Sequence, residues 1–206
     1  VESFKKSITP RTKIASFAYI SNVLGYKIPA KEICKIAHQN NIIFILDGAQ
    51  ATPHQKVSMK QLDCDFYVFS GHKLYAATGT GVLYGKRKWL EQMPPFMCGG
   101  EMVGTVTFVE TTFAQLPMKF EAGTQNFASA ATFKQAIDCI KLLSDKELVK
   151  EIDKVRDYLL DVLTSDQRIR LYGVPRGTKA DKIPLFSFCV EGIHHEDLAL
   201  ILDKMG

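Results

Sequence analysis

The chain has 206 residues, 46% of them hydrophobic and 23% charged, with a formal net charge of +4 at neutral pH. That supports one substantial core, or one domain and part of a second, and the basic residues are scattered rather than gathered into a stripe, which argues against a nucleic-acid partner. The most apolar stretch, residues 42–46, is strand-sized and far short of a membrane span.

At the start, Phe4-Lys5-Lys6 leads into Thr9-Pro10-Arg11 rather than an apolar run, so a secretory signal is not expected. Residues 13–20 read as a buried strand. Pro29 suits the first turn of a helix running to about Asn40, with Ile33, Ile36 and Ala37 as its apolar stripe. Residues 42–46 are a near-continuous apolar, β-branched run, the pattern of a strand covered on both faces. Residues 66–69 and 81–84 are further strands. Strands alternating with short helices predict a layered α/β sheet, and ligands on such sheets bind beyond the strand ends, where Asp47 and Lys73 fall.

Farther on, residues 127–143 are helical by period, with Phe133, Ala136, Ile137 and Ile140 on one side. Ser144-Asp145-Lys146-Glu147 has the spacing of a capping box, in which the Ser144 hydroxyl accepts from the Glu147 amide. A second helix follows, with Leu148, Ile152, Val155, Leu159 and Val162 at gaps of three and four. Strands around residues 169–172 and 185–190 come next, then a helix from His195 whose Glu196 and Asp197 complement its dipole. This run reads as the opening of a smaller domain, with residues 1–143 belonging to the large one and 144–206 to an incomplete C-terminal one.

The chemistry concentrates in Asp47-Gly48-Ala49-Gln50 and Ser70-Gly71-His72-Lys73. One lysine stands on a short loop after an apolar strand, one acid at the end of an earlier strand, and an amide shortly after that acid. Such a set suits pyridoxal phosphate (PLP): the amine can condense with the aldehyde, the carboxylate keeps the pyridine nitrogen protonated, and the amide reaches the phenolate oxygen. Each residue also has a plainer reading. A lysine at its ordinary pKa of about 10.4 is a solvated charge; Asp before Gly is a common turn; Gln50 can bond loop backbone, and His72 can be a structural histidine.

The segments Leu46-Asp47-Gly48-Ala49-Gln50, residues 63–75 and Gly79-Thr80-Gly81-Val82-Leu83-Tyr84 resemble the cysteine desulfurase family. Within it, Gly48 and Gly71 resemble the Suf-type, selenocysteine-lyase-like branch of the class V aminotransferase fold, since the Nif/Isc-type branch usually has Asp-Ala-Ala-Gln at the first site. The likeness runs from about Thr9 to the last residue and corresponds to the middle half of such an enzyme.

It implies an α/β PLP-dependent transferase (aspartate aminotransferase-like) fold, with a three-layer α/β/α large-domain portion and the start of a smaller α+β domain. It also implies Lys73 as the catalytic lysine. Asp47 would meet the pyridine nitrogen, Gln50 the phenolate oxygen, and Ser70 and His72 the phosphate. Thr124 would reach the phosphate of a neighbouring subunit, making a homodimer with a shared active site; Gln125 stands where the family usually has proline. Asn22 would sit beside the substrate carboxylate.

The implied activity is release of alanine from L-cysteine, with sulfur passed as an enzyme persulfide to an acceptor protein for iron–sulfur cluster assembly in the cytoplasm. The persulfide-forming cysteine, a substrate-binding arginine and a ring-stacking histidine would lie outside these residues, so the chain alone is expected to be inactive. A selenocysteine lyase, a kynureninase-like enzyme and a non-catalytic dimerising fragment are the alternatives.

Other motifs read plainly. Gly79-Thr80-Gly81 lacks the dinucleotide fingerprint and is a tight turn. Gly99-Gly100-Glu101-Met102 resembles a hairpin near the active-site mouth. His194-His195 has no acid or thiol at ligand spacing, so no metal is expected, and His38 and His54 are structural. The five cysteines are odd in number and widely spaced, as for reduced thiols. Buried packing is expected for Cys34, Cys64, Cys139 and Cys189, with Cys98 alone near an active-site segment.

Overall fold

Four strands build the main sheet in the computed structural model, which describes residues 1–173 and 181–206. Their order is β1 (Ile14–Ala18), β2 (Ile43–Asp47), β3 (Phe66–Ser70) and β4 (Gly81–Gly85). The first three run parallel, and β4 pairs antiparallel with β3. Phe44 and Leu46 project from one face of β2 and are fully buried, while Ile43 and Ile45 on the other face are half-buried. Helices α1 (Glu2–Ser7), α2 (Ala30–Gln39) and α3 (Met59–Leu62) precede β1, β2 and β3 in turn, and Ile33, Cys34 and Ala37 of α2 close the core over the first face. Pro29 is the residue just before this helix rather than in its first turn. β1 is an edge strand with only Ala15 buried, so the expected buried strand is a half-covered one.

Parallel pairing brings the C-terminal ends of β1, β2 and β3 to one edge: Ala18 lies opposite Asp47, and Asp47 opposite Val68. At the other edge sits a buried polar cluster. Asp65, 1% exposed, accepts from the Phe44 N–H and the Trp89 indole N–H, each at 2.9 Å, and lies 2.9 Å from His38 Nε2 and 3.4 Å from Lys86 Nζ. Trp89 belongs to α4 (Arg87–Gln92), so one carboxylate ties a strand start and two helices together. His38 is structural, as its sequence suggests.

After the sheet comes a hairpin, β5 (Val103–Val106) and β6 (Thr111–Phe113), anchored by the fully buried Met102. The helix expected over residues 127–143 is two helices, α5 (Phe127–Ala131) and α6 (Phe133–Leu143). The break falls at Thr132, whose hydroxyl donates to the Ser129 carbonyl and accepts from Ala77 N–H at 2.9 Å. A long helix, α7 (Lys146–Ser165), then leads to the antiparallel pair β7 (Ile169–Leu171) and β8 (Phe188–Val190) and to α8 (His195–Met205).

The capping box is corrected. Asp145, not Ser144, caps α7, accepting from Glu147 and Leu148 N–H, while the Ser144 hydroxyl donates back to the Ile140 carbonyl at the end of α6. The α7 stripe forms but stays partly exposed, from 37% at Leu159 to 56% at Val155. Residues 181–187 lie against the loop after β1: Ile183 N–H donates to the Gly25 carbonyl at 3.0 Å and Lys27 N–H to Asp181 at 3.0 Å. Among the described residues no helix is long and apolar enough to cross a membrane, and no group of three or more His, Cys, Asp or Glu could hold a metal.

Candidate active site

At the C-terminal edge of the sheet, the chain turns sharply after β2 because Gly48 N–H donates to the Val68 carbonyl at 2.8 Å and the Gly48 carbonyl accepts from Ala51 and Thr52 N–H, both at 2.9 Å. Asp47 is the last residue of β2, exposed, with its Oδ1 accepting from Ala49 N–H at 2.8 Å. Its backbone carbonyl takes Tyr19 N–H, which fixes the end of β1 beside it. Gln50 follows on the same turn, half-buried.

On the next strand, β3 ends at Ser70 and passes into a tight 3-10 turn, Gly71–Leu74. Gly71 and Leu74 are buried and anchor that turn, so His72 and Lys73 between them are exposed. Gly71 N–H donates to the Thr80 carbonyl at 2.8 Å, and Tyr75 closes the turn in the left-handed region at φ 65°. Gly71 is held against its surroundings: a Cβ there would lie 2.8 Å from Phe133 Cζ and 2.9 Å from Thr80 Oγ1. Glycine at 71 therefore lets α6 dock directly behind the lysine turn. Gly79, at φ +81°, makes the tight turn expected before β4.

Asn22 lies beyond the end of β1, at the same edge. Ser21, not Asn22, makes the turn there, its Oγ accepting from Val23 and Leu24 N–H. Thr124 is exposed, two residues before Asn126, whose amide nitrogen lies 3.7 Å from the Cβ position of Gly79. Gln125 stabilises this loop itself, donating from Nε2 to the Gly123 carbonyl at 3.0 Å. Gly99 and Gly100 at the base of the hairpin touch the same loop, with Gly123 N–H donating to the Gly100 carbonyl at 2.9 Å.

The sheet thus places Asp47, Gln50, Ser70, His72, Lys73 and Asn22 at the ends of three neighbouring parallel strands. Among the described residues, no hydrogen bond or ion pair engages the side chains of Lys73, His72, Ser70 or Asn22. An amine, a carboxylate, an imidazole, a hydroxyl and two amides on one rim can engage a ligand carrying an aldehyde, a basic ring nitrogen and a phosphate.

The cysteines divide by burial. Cys34 and Cys64 are buried; burial, with Asp63 and Asp65 adding to it, pushes the Cys34 thiol up to about 12, and burial pushes Cys64 up to about 11. Neither is a thiolate at neutral pH. Cys189 is half-buried, and Cys139 is exposed on α6 rather than packed inside, because only Ala136 of that helix is buried. Cys98 is exposed. Two residues to which the sequence assigned no role, Tyr67 and Thr52, join the site from behind: their hydroxyls are 2.9 Å apart beneath the Asp47 turn.

A family model described as aminotransferase class-V matches residues 1–206. A probable cysteine desulfurase of Vibrio cholerae is 41% identical over 204 residues, covering 99% of this chain and 49% of the relative. One from Halalkalibacterium halodurans is 40% identical over 206 residues, covering 100% of this chain and 50% of the relative. Among solved structures, a cysteine desulfurase of Escherichia coli in its S-sulfonic acid form superposes with a TM-score of 0.83 at 34% identity, covering 100% of this chain and 50% of that one. The apo cysteine desulfurase of Thermococcus onnurineus gives 0.81 at 30%, with 94% and 48% covered. The chain therefore spans about half the length of the curated relatives it matches.

Proposed function

The chain belongs to the aminotransferase class V family, and from that premise we propose that it carries the cofactor-binding core of a PLP-dependent cysteine desulfurase. The observation that supports this most is the register: parallel pairing of Ala18 with Asp47 and of Asp47 with Val68 brings one carboxylate and one amine to the same sheet edge. The residues fit the cofactor. Gly48 and Gly71 keep both turns tight against the sheet, and the rim offers an acid for the ring nitrogen and donors for a phosphate.

Bound there, PLP would supply an electrophilic aldehyde for the substrate amine and a ring able to accept an electron pair. Asp47 holds the proton on the pyridine nitrogen. Lys73 would hold the aldehyde, and its Nζ is the base that would take the α-proton of L-cysteine. Gln50 donates its amide to the phenolate oxygen. Ser70 and His72 bind the phosphate together with backbone N–H groups of the Gly71 turn, and Asn22 orients the substrate carboxylate.

Thr124 completes the phosphate site of a second copy, making the enzyme a homodimer. Sulfur leaves to a thiolate other than Cys34 and Cys64, whose raised pKa values unfit them, and passes to an acceptor protein. The division into residues 1–143 and 144–206 belongs to the same reading; the junction of α6 and α7 at Ser144 and Asp145 supports it.

The test is uptake of PLP followed by visible absorbance, in wild type and Lys73→Ala, with alanine release from L-cysteine measured on the protein in its natural length. A cofactor band lost in Lys73→Ala, together with alanine release, is expected. A band of the same strength in both proteins would refute the assignment.

A further inference from the structure

Gly48 is glycine because Tyr67 fills the space a side chain would need. A Cβ at 48 would lie 1.9 Å from Tyr67 Cζ and 2.0 Å from its hydroxyl oxygen. That hydroxyl is 2.9 Å from Thr52 Oγ1, and the Thr52 hydroxyl donates to the Gly48 carbonyl at 2.8 Å. A threonine hydroxyl has a single proton. Here it goes to Gly48, so Tyr67 is the donor to Thr52, and the two hydroxyls form a directed relay ending on the Gly48 carbonyl.

The N–H of that same peptide unit is the Ala49 N–H that binds Asp47 Oδ1 at 2.8 Å. Because a peptide is planar, restraining its carbonyl end sets the direction of its N–H. Donors converging on the carbonyl also polarise the unit and strengthen the N–H as a donor. Tyr67 is 2% exposed, and burial pushes its hydroxyl up to about 12 against the opposing Thr52 bond, with the Asp47 charge among the groups adding to the rise. It stays protonated, as the relay requires.

We propose that Tyr67 and Thr52 are positioning residues that aim the Asp47 carboxylate at its ligand through the Gly48–Ala49 peptide. The proposal rests on the PLP reading above, in which Asp47 meets the pyridine nitrogen.

The test is a double-mutant cycle on PLP affinity, read by absorbance titration of the full-length protein. Tyr67→Phe and Thr52→Val are each expected to raise the dissociation constant about three- to ten-fold, the size of one hydrogen bond. Thr52→Ser, which keeps the hydroxyl, should stay near wild type. On an Asp47→Asn background, Tyr67→Phe should cause no further loss, since the group it positions is gone. Equal losses on both backgrounds would mean a general packing role and overturn the inference. If Tyr67→Phe fails to fold, Thr52→Val in the same cycle carries the test. Wild type that takes up no PLP overturns the functional reading, and with it this one; wild type that binds with additive losses overturns the positioning role alone.

Discussion

Asp65 shows how a single side chain can hold an edge of a sheet. Burial alone would push its carboxyl up, but the Phe44 N–H, the Trp89 indole, His38 and Lys86 together outweigh that and hold it below the ordinary value of 3.8. A carboxyl lowered by folding contributes stability that is present above its unfolded pKa and is lost as pH falls through the folded value. Denaturant midpoints measured from about pH 6 down to about pH 3 should therefore fall in wild type, and fall less steeply in Asp65→Asn. Asp65→Ala should cost about 3 kcal/mol, because it leaves the buried Phe44 N–H and the half-buried Trp89 indole without a partner. A loss under about 1 kcal/mol would show that water reaches those donors. Nothing in Asp63-Cys64-Asp65 distinguishes the two acids by sequence: Asp65 is 1% exposed, whereas the Asp63 side chain is 67% exposed. Gly48 is the reverse case. Its identity carried a family likeness in the sequence, and the Tyr67 ring supplies the physical reason.

Elements were legible wherever their signal was local. The apolar runs became β2, β3 and β4, and the three-and-four spacing became α2 and α7. Errors came at junctions, where two local options compete. Ser144 and Asp145 both suit a helix N-cap; Ser144 lost because its hydroxyl bonds back to Ile140, leaving Asp145 to accept from Glu147 and Leu148. Asp145→Ala should lower stability by about 1 kcal/mol and Ser144→Ala by clearly less, measured by thermal or urea unfolding. Equal losses would return the cap to Ser144. The split at Thr132 was invisible for a different reason. It depends on a bond to Ala77, 55 residues earlier in the chain, and no periodicity within residues 127–143 reports it.

At the scale of the molecule, much apolar surface is left uncovered. Phe108 and Val109 at the hairpin tip are essentially fully exposed, as is Phe96, beyond what scattered surface residues would explain. In the homodimer proposed above, a second copy would cover part of this surface. Replacing Phe108 and Val109 together by serine should lower the solution mass toward that of one chain, read by light scattering at matched concentration; an unchanged dimer mass would place the interface elsewhere. By itself, the sequence determined the strand and helix types, the α/β class and the two chemical motifs, because hydrophobic period and residue chemistry are properties of short segments. Only the tertiary structure decided that Asp47 and Lys73 share an edge, that Tyr67 lies beneath Gly48 and that Asp65 is the buried acid. Each of these depends on the register between strands far apart in the chain, and that register is set by how the core packs rather than by any one segment.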